Sequence, residues 1–260
     1  MQTLTSKENI NIKNTIKLKK SAKYRKQTGM FIAEGVRICI DAMQSLAQID
    51  SFFVTETATL KHPDEFAKLQ KYAKKTFVVS SELFLLISDT QTPQGFLCVI
   101  KTLDKSCQFD TIKNGGKFLA LDNVQDPGNL GTILRSAEAF GVSGVVMSVD
   151  CCDIYNPKVV RGSMGAVFRL PFIRVETLSE YFKSVPELNT YAAIVGGEAV
   201  FVTDVTFSEP CAVVIGNEGN GIKEETSAAC KHKITIPMIG KAESLNASVA
   251  AAVLIWEMMK

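Results

Sequence analysis

The chain has 260 residues, 46% of them hydrophobic, and a formal net charge of only +2. That length suits one large or two ordinary domains, with enough apolar content for a substantial core. No run approaches the roughly 18 apolar residues of a membrane span, and the start is polar and basic rather than a secretory leader, so a cytoplasmic protein with no membrane partner is expected. Seven cysteines show no C-x-x-C spacing and there are two histidines. Neither a zinc site nor a disulfide framework is therefore expected, and no metal ligands are assigned.

The small net charge hides an asymmetry. Residues 1–30 carry Lys7, Lys13, Lys17, Lys19, Lys20, Lys23, Arg25 and Lys26 against the single acid Glu8, which leaves the remainder net acidic. Such a block is the footprint of a polyanion, nucleic acid first, with a solvated helix face as the alternative.

In chain order, Asn9 to Lys26 alternates apolar and basic residues and reads as a helix. A short strand follows at Met30 to Ala33. The next helix, Gly35 to Ala47, carries Val36, Ile40, Met43 and Leu46 or Ala47 on one stripe. Phe52 to Thr55, Thr76 to Val79 and Phe96 to Ile100 read as strands, with helices at His62 to Lys74 and Ser81 to Ile87. His62 stands beside Pro63 and reads as a turn residue rather than a base or ligand. Residues 1–105 thus form a small α/β domain. Polar, aperiodic residues 106–114 form a linker, and 115–260 form a second domain.

The second domain is organised around Leu121 to Val146. An apolar strand, FLALDNV, breaks at Asp126-Pro127-Gly128. Asn129 is a candidate cap for a helix from Leu130 to Phe140, closed by Gly141, and a strand runs from Gly144 to Val149. Strand, turn, helix, strand is a βαβ unit, whose ligand side is the carboxyl end of the first strand and the N-terminus of the helix. Asp122, Asn123, Gln125, Asn129 and Arg135 are placed at or near that end.

Asn156 to Ala166 then reads as a helix with small residues on one face. Strands are expected at Pro171 to Ile173, Tyr191 to Val195, Cys211 to Ile215 and Ile234 to Ile236, with a helix at Leu178 to Phe182. Gly216-Asn217-Glu218-Gly219-Asn220-Gly221 is neither GxGxxG nor a P-loop, since no Lys-Ser/Thr follows. It reads as a turn that offers main-chain groups to a ligand, with Glu218 projecting. Leu245 to Met258 is a long helix with Ser244 and Asn246 at its start, as caps or as site residues.

Three blocks, NLGTILRSAE (129–138), IGNEGNG (215–221) and IPMIGKAESLNASVAAA (236–252), occur in that order. Together they resemble the SpoU, or TrmH-like, branch of the SPOUT RNA methyltransferases over residues 115–260. NPKVVRGSMGA is similar to the family's connecting segment. SKENINIKNTIKLKKSAKYRKQTGMFIAEGVR resembles the substrate-binding domain of many members, which is similar in fold to small RNA-binding ribosomal proteins.

The resemblance implies an α/β fold with two domains, an N-terminal RNA-binding domain and a SPOUT domain with a C-terminal trefoil knot. It implies methyl transfer from S-adenosyl-L-methionine to a ribose 2′-hydroxyl of RNA, by a homodimer whose active sites are completed across the interface. Carried onto this chain, the catalytic residues are Asn129, Arg135, Glu218, Ser244 and Asn246. The cofactor positions are Gly216, Ile236 and Leu245, with Met238, Asn217 and Gly221 beside them. The RNA contacts are Lys17, Lys19, Lys20, Lys23, Arg25, Lys26 and Arg161. The family proposal makes Arg135 the base. A guanidinium normally stays protonated, which points instead to orientation and charge stabilisation. Ribosomal RNA is the expected substrate. The alternatives are transfer RNA, or a non-catalytic RNA-binding or assembly protein on the same scaffold.

Overall fold

The computed structural model describes residues 1–103, 115–196 and 198–260. The linker expected at 106–114 lies outside the described residues. The chain divides into two compact units, and each has its own sheet.

The first unit contains β1 (Gln2–Leu4), α1 (Ile10–Lys20), α2 (Ala22–Thr28), β2 (Met30–Glu34), α3 (Val36–Gln44), β3 (Ile49–Thr55), α4 (Glu56–Lys61), α5 (Pro63–Tyr72), β4 (Lys75–Val79), α6 (Ser81–Ile87) and β5 (Phe96–Lys101). The sheet order is β1-β4-β3-β5-β2. The first three strands are parallel, and β5 runs antiparallel to both its neighbours. β3 and β5 are buried along nearly their whole length, so their apolar runs lack the alternation of a half-exposed strand. Phe31, Phe52, Phe53, Phe84 and Phe96 fill the core.

The single helix expected over Asn9 to Lys26 is two helices. Ser21 takes an extended conformation, and its hydroxyl accepts the Tyr24 N–H, which starts α2 afresh. Gly29, at φ +61°, ends α2 in the left-handed conformation that glycine adopts without strain. His62 lies in a turn, as expected, closing α4 and preceding α5.

The second unit opens with β6 (Lys117–Leu121), α7 (Pro127–Ala139) and β7 (Gly144–Ser148). The cap of α7 is Asp126, whose carboxylate accepts the Asn129 N–H at 2.8 Å. Asn129 itself sits inside the first turn, because Pro127 takes the first helical position that needs no N–H partner. Its expected capping role is therefore overturned. Gly141, at φ +79°, follows the helix end.

Residues Asp153–Phe168 then belong to the first unit. They include α8 (Pro157–Gly162), capped by Asn156, and the start of α9 (Ala166–Arg169). Tyr155 packs its ring 4.4 Å from that of Phe31, and α8 packs on β2. Asp153 reaches Arg25, whose side chain is only 4% exposed. The guanidinium bonds the Asp153 carboxylate at 2.7 Å and the Leu18 carbonyl at 2.7 Å.

The chain returns to the second unit with β8 (Phe172–Val175), α10 (Leu178–Ser184), β9 (Asn189–Ala193), β10 (Val200–Phe201), β11 (Cys211–Ile215), α11 (Glu224–Ala229), β12 (His232–Thr235) and α12 (Ala247–Met259). Every strand pair is parallel, in the order β10-β12-β9-β11-β6-β7-β8. From β6 the chain steps to β7 and β8 on one side, while β11 lies on the other. The crevice beyond the carboxyl ends of β6 and β11 is therefore a topological switch point, where open α/β sheets bind ligands. On one face of the sheet α12 packs against α7 and against β6 and β11.

Breaking a buried ion pair leaves its partner charge uncompensated. Arg25→Ala is expected to lower unfolding stability by about 3 kcal/mol. Lys23→Ala, at an exposed site two residues away, should change it by less than about 0.5 kcal/mol. Urea denaturation checks both.

Candidate active site

The loops that leave β6 and β11 meet at the switch point. Asp122, 1% exposed, donates its N–H to the Ile215 carbonyl at 2.8 Å and accepts the Lys223 N–H on its carboxylate at 2.9 Å. Asn123 follows with φ +57°, a conformation asparagine tolerates better than most residues. Its N–H donates to the Ser148 hydroxyl at 3.0 Å, and its carbonyl accepts the Asn217 side chain at 2.9 Å.

The glycine turn is held by its own backbone. Asn217 and Gly221 exchange N–H···O bonds of 2.9 and 3.0 Å. The Asn217 carboxamide oxygen also accepts the N–H groups of Gly219 and Asn220, at 2.9 and 3.0 Å. A Cβ on Gly216 would lie 2.2 Å from the Gly221 carbonyl carbon. Gly221, at φ +69°, needs glycine for its backbone conformation. The expectation that these glycines open the backbone to a ligand is thus only part of their reason, since the turn itself could not close without them.

Glu218 projects from this turn back onto the start of α7. One carboxylate oxygen accepts the Asn129 side-chain N–H at 3.0 Å and the Asp126 N–H at 3.1 Å. The other accepts the Gln125 N–H at 3.2 Å. The Asn129 oxygen in turn accepts the Asn246 side chain at 3.0 Å. The Asn246 oxygen accepts the Ser248 N–H at 2.9 Å and so caps α12. One side of Glu218 thus runs through Asn129 to Asn246, joining residues 28 to 117 positions apart into one hydrogen-bonded chain. Burial alone would push the Glu218 carboxyl up. The hydrogen bonds from Asn129 and from the backbone N–H groups together hold it below its ordinary value of 4.5.

Beside this chain lies a cavity of about 490 Å³. The glycine turn from Gly216 to Gly221 forms one wall, Glu243 to Leu245 a second, and Ala247, Ala250 and Leu254 of α12 a third. Ala193, Ile194 and Val195, at and just past the carboxyl end of β9, complete it. Its size is that of a small-molecule or cofactor site. Ile194, Val195, Ile215, Leu245 and Leu254 offer apolar surface for a flat ring. Ser244, Glu243 and the main-chain groups of the turn offer polar partners. These residues fit a nucleoside-like cofactor with a charged tail.

Of the expected cofactor positions, Gly216, Asn217, Gly221 and Leu245 line this cavity, together with Glu218 and Ser244. Ile236 and Met238 are half-buried in the loop after β12 and are not among the lining residues. Arg135 is exposed and has no hydrogen bond or ion pair with the described residues. Six residues along α7 from Asn129, it lies about 9 Å further down the helix axis. Arg135 therefore does not line the cavity of its own chain. The sequence reading missed the three residues at the end of β9. Their strand was legible, but that β9 lies beside β11 is a property of sheet order.

The basic residues separate into two groups. Lys17, Lys20, Lys23 and Lys26 are exposed. Lys19 donates to the carbonyls of Leu86 and Ser88 at 2.7 and 2.6 Å, and Arg161 pairs with Asp89 at 2.9 Å. Arg25 is buried against Asp153 and is not presented for an RNA contact, which corrects that expectation.

An all-parallel α/β sheet with a hydrogen-bonded loop cluster and a cavity at its switch point defines an α/β protein that binds a nucleoside-like ligand. The SpoU rRNA Methylase family model matches residues 116–256, and the MRM3-like substrate binding domain model matches residues 9–98. The chain belongs to the SpoU rRNA methylase family. It is 29% identical to the 23S rRNA (guanosine(2553)-2′-O)-methyltransferase RlmP of Bacillus subtilis, over 99% of both chains. Among solved structures it is similar to the AdoMet-bound rRNA methyltransferase of Sinorhizobium meliloti, with 28% identity and a TM-score of 0.86 over 98% of this chain and 96% of that one. The SpoU methyltransferase AviRb of Streptomyces viridochromogenes, in complex with AdoMet, is 25% identical with a TM-score of 0.86 over 97% of each chain.

Because its folded value is depressed, Glu218 contributes stability that is present above 4.5 and is lost as pH falls through the lower folded value. The difference in melting temperature between wild type and Glu218→Gln should therefore be largest near neutrality and should shrink in acid. Thermal melts across a pH series check this.

Proposed function

We propose that this chain transfers the methyl group of S-adenosyl-L-methionine to a ribose 2′-hydroxyl of ribosomal RNA, as a cytoplasmic homodimer. The observation that carries the reading is the cavity behind the Gly216 turn, bounded by Ser244 and Leu245 and buttressed by the Glu218–Asn129–Asn246 chain. The methyltransferase family of the chain and the ribosomal-RNA activities named for its relatives support it. No helix among the described residues is long and apolar enough to cross a membrane.

When bound, the cofactor supplies an electrophilic methyl group on a sulfonium. The chain's residues do the rest. The glycine turn and the apolar lining hold the nucleoside part. Ser244, at the cavity wall, would bond the incoming ribose. Glu218 has both carboxylate oxygens committed to hydrogen bonds, so its role is to position the turn rather than to move a proton. Arg135, with an unspent planar fork, would hold an RNA phosphate bidentately and stabilise charge on the 2′-oxygen while the hydroxyl proton passes to a phosphate oxygen or to water.

The dimer reading rests on the same region. Phe140, Val249 and Trp256 are large apolar residues at 38%, 50% and 53% exposure on or next to α7 and α12, and the rings of Phe140 and Trp256 lie 5.6 Å apart. A second copy seated on this face would cover them. The family resemblance implies active sites completed across such an interface, and we assign Arg135, which does not line its own cavity, to the cavity of the partner. We read the loop 236–246 and α12 as the family's trefoil knot, supported by the packing of α12 on α7, β6 and β11.

Calorimetry with S-adenosylhomocysteine in the presence of chelator should show one site per chain, and no binding at millimolar ligand would overturn the reading. Arg135→Ala should melt normally and bind S-adenosylhomocysteine as wild type does. Its single-turnover methyl transfer should fall at least about a hundredfold, the scale for losing a charge-stabilising group. Wild-type transfer by a normally melting Arg135→Ala would refute the assignment of that residue.

A further inference from the structure

The first unit holds a second cavity, of about 520 Å³. It opens at the carboxyl ends of the parallel neighbours β3 and β4, where Thr55 ends β3 and α4 and α6 begin. Its charged lining group is Lys61, accompanied by His62, and among the described residues no aspartate or glutamate lines it. Glu56 and Glu82, in the first turns of α4 and α6, are not among the lining residues. Lys61 is exposed and has no hydrogen bond or ion pair with the described residues. Gln91 and Gln94 contribute carboxamides, and Leu85, 51% exposed, and Pro93 contribute apolar surface.

The loop that walls this cavity is held in place. Glu34 accepts the Ser88 hydroxyl at 2.5 Å, the Asp89 N–H at 2.7 Å and the Thr90 hydroxyl at 2.6 Å. The Gln94 oxygen accepts the Val36 N–H at 2.9 Å, and its NH₂ group carries two further donors. At Gly95, φ +79°, a Cβ would lie 2.4 Å from the Thr55 hydroxyl oxygen, so the loop sits directly on the end of β3. Cations flank the same loop. Lys19 of the basic helix α1 bonds the carbonyls of Leu86 and Ser88, and Arg161 neutralises Asp89. The loop is thus tied to α1 through Lys19 and to α8 through Arg161, and the cavity it walls is preformed.

We propose that this cavity takes one unpaired nucleotide of the RNA substrate. Its base would lie against Leu85 and Pro93, its polar edge would meet the carboxamides of Gln91 and Gln94, and its phosphate would meet Lys61. The size suits a mononucleotide. A base in a duplex is stacked and cannot enter, whereas an unpaired loop base can be splayed out and read on its edges. The proposal rests on the RNA methyltransferase reading and adds to it a demand for an unpaired nucleotide in the substrate RNA.

The test is fluorescence anisotropy of the full chain with a 5′-labelled single-stranded RNA decamer of mixed sequence and with the duplex of the same strand. Wild type should prefer the single strand. Lys61→Ala/Gln91→Ala, both exposed positions, should weaken single-strand binding about five- to tenfold, the scale for losing one nucleotide's contacts, and should leave duplex binding unchanged. Thr57→Trp, which fills the cavity and keeps every charge, should do the same. Equal losses on both RNAs would reduce Lys61 to a general phosphate contact and overturn the pocket. So would undiminished single-strand binding by Thr57→Trp. Calorimetry with S-adenosylhomocysteine on the same preparations separates the two readings. A wild type that binds it while showing no strand preference would overturn the pocket and leave the methyltransferase assignment standing.

Discussion

The second unit depends on a single carboxylate. Glu218 leaves the glycine turn and accepts the N–H groups of Gln125 and Asp126 and the side chain of Asn129. A parallel sheet positions its loops only as far as the last ladder bond. Beyond β6 and β11 the backbone polar groups need other partners, and an unpaired one costs about 1–3 kcal/mol. Glu218 satisfies two of them at once, while Asn129 passes the connection to Asn246 and the start of α12. The two loops and the final helix are then one object, and the cavity is the space they leave.

Much of this was legible in the sequence, because most of the elements are local. The βαβ unit around Leu121 to Val146, the strand Cys211 to Ile215 and the helix Ser81 to Ile87 follow from apolar periodicity and turn residues. The identity of the site residues followed from three motifs. What those residues do to one another did not, since hydrogen bonds between positions 129, 218 and 246 depend on a sheet order that no periodicity encodes. The cap of α7 was misplaced by three residues because Asp126 and Asn129 are both good caps. Only the Pro127 between them, favoured at the first helical position, decides for Asp126. β1 and α4 escaped notice as elements of 3 and 6 residues, too short to show a period.

The basic N-terminal stretch shows how charge counts overstate a surface. Eight cations in thirty residues read as one footprint, yet they serve different ends. Arg25 is an internal strut between α1, α2 and the segment from Asp153, buried because its guanidinium finds a carboxylate and carbonyls together. Lys19 caps the carboxyl end of α6. Lys17, Lys20, Lys23 and Lys26 remain exposed to meet a polyanion. Long-range attraction belongs to these four and to the exposed Lys7 and Lys13, and the packing of the domain belongs to Arg25 and Lys19.

The central claim is that the cofactor cavity is shaped from behind, by a hydrogen-bonded chain whose middle member does not line it. Asn129 is that member. The direct measurement is calorimetric titration of Asn129→Leu with S-adenosylhomocysteine, on protein shown by its melt to be folded at the temperature used. Two broken side-chain bonds, one of them to a charged carboxylate, should loosen both the turn and the start of α12. The account predicts affinity at least about tenfold weaker than wild type. Affinity equal to wild type would show that the cavity holds its shape without the chain, and would contradict the account.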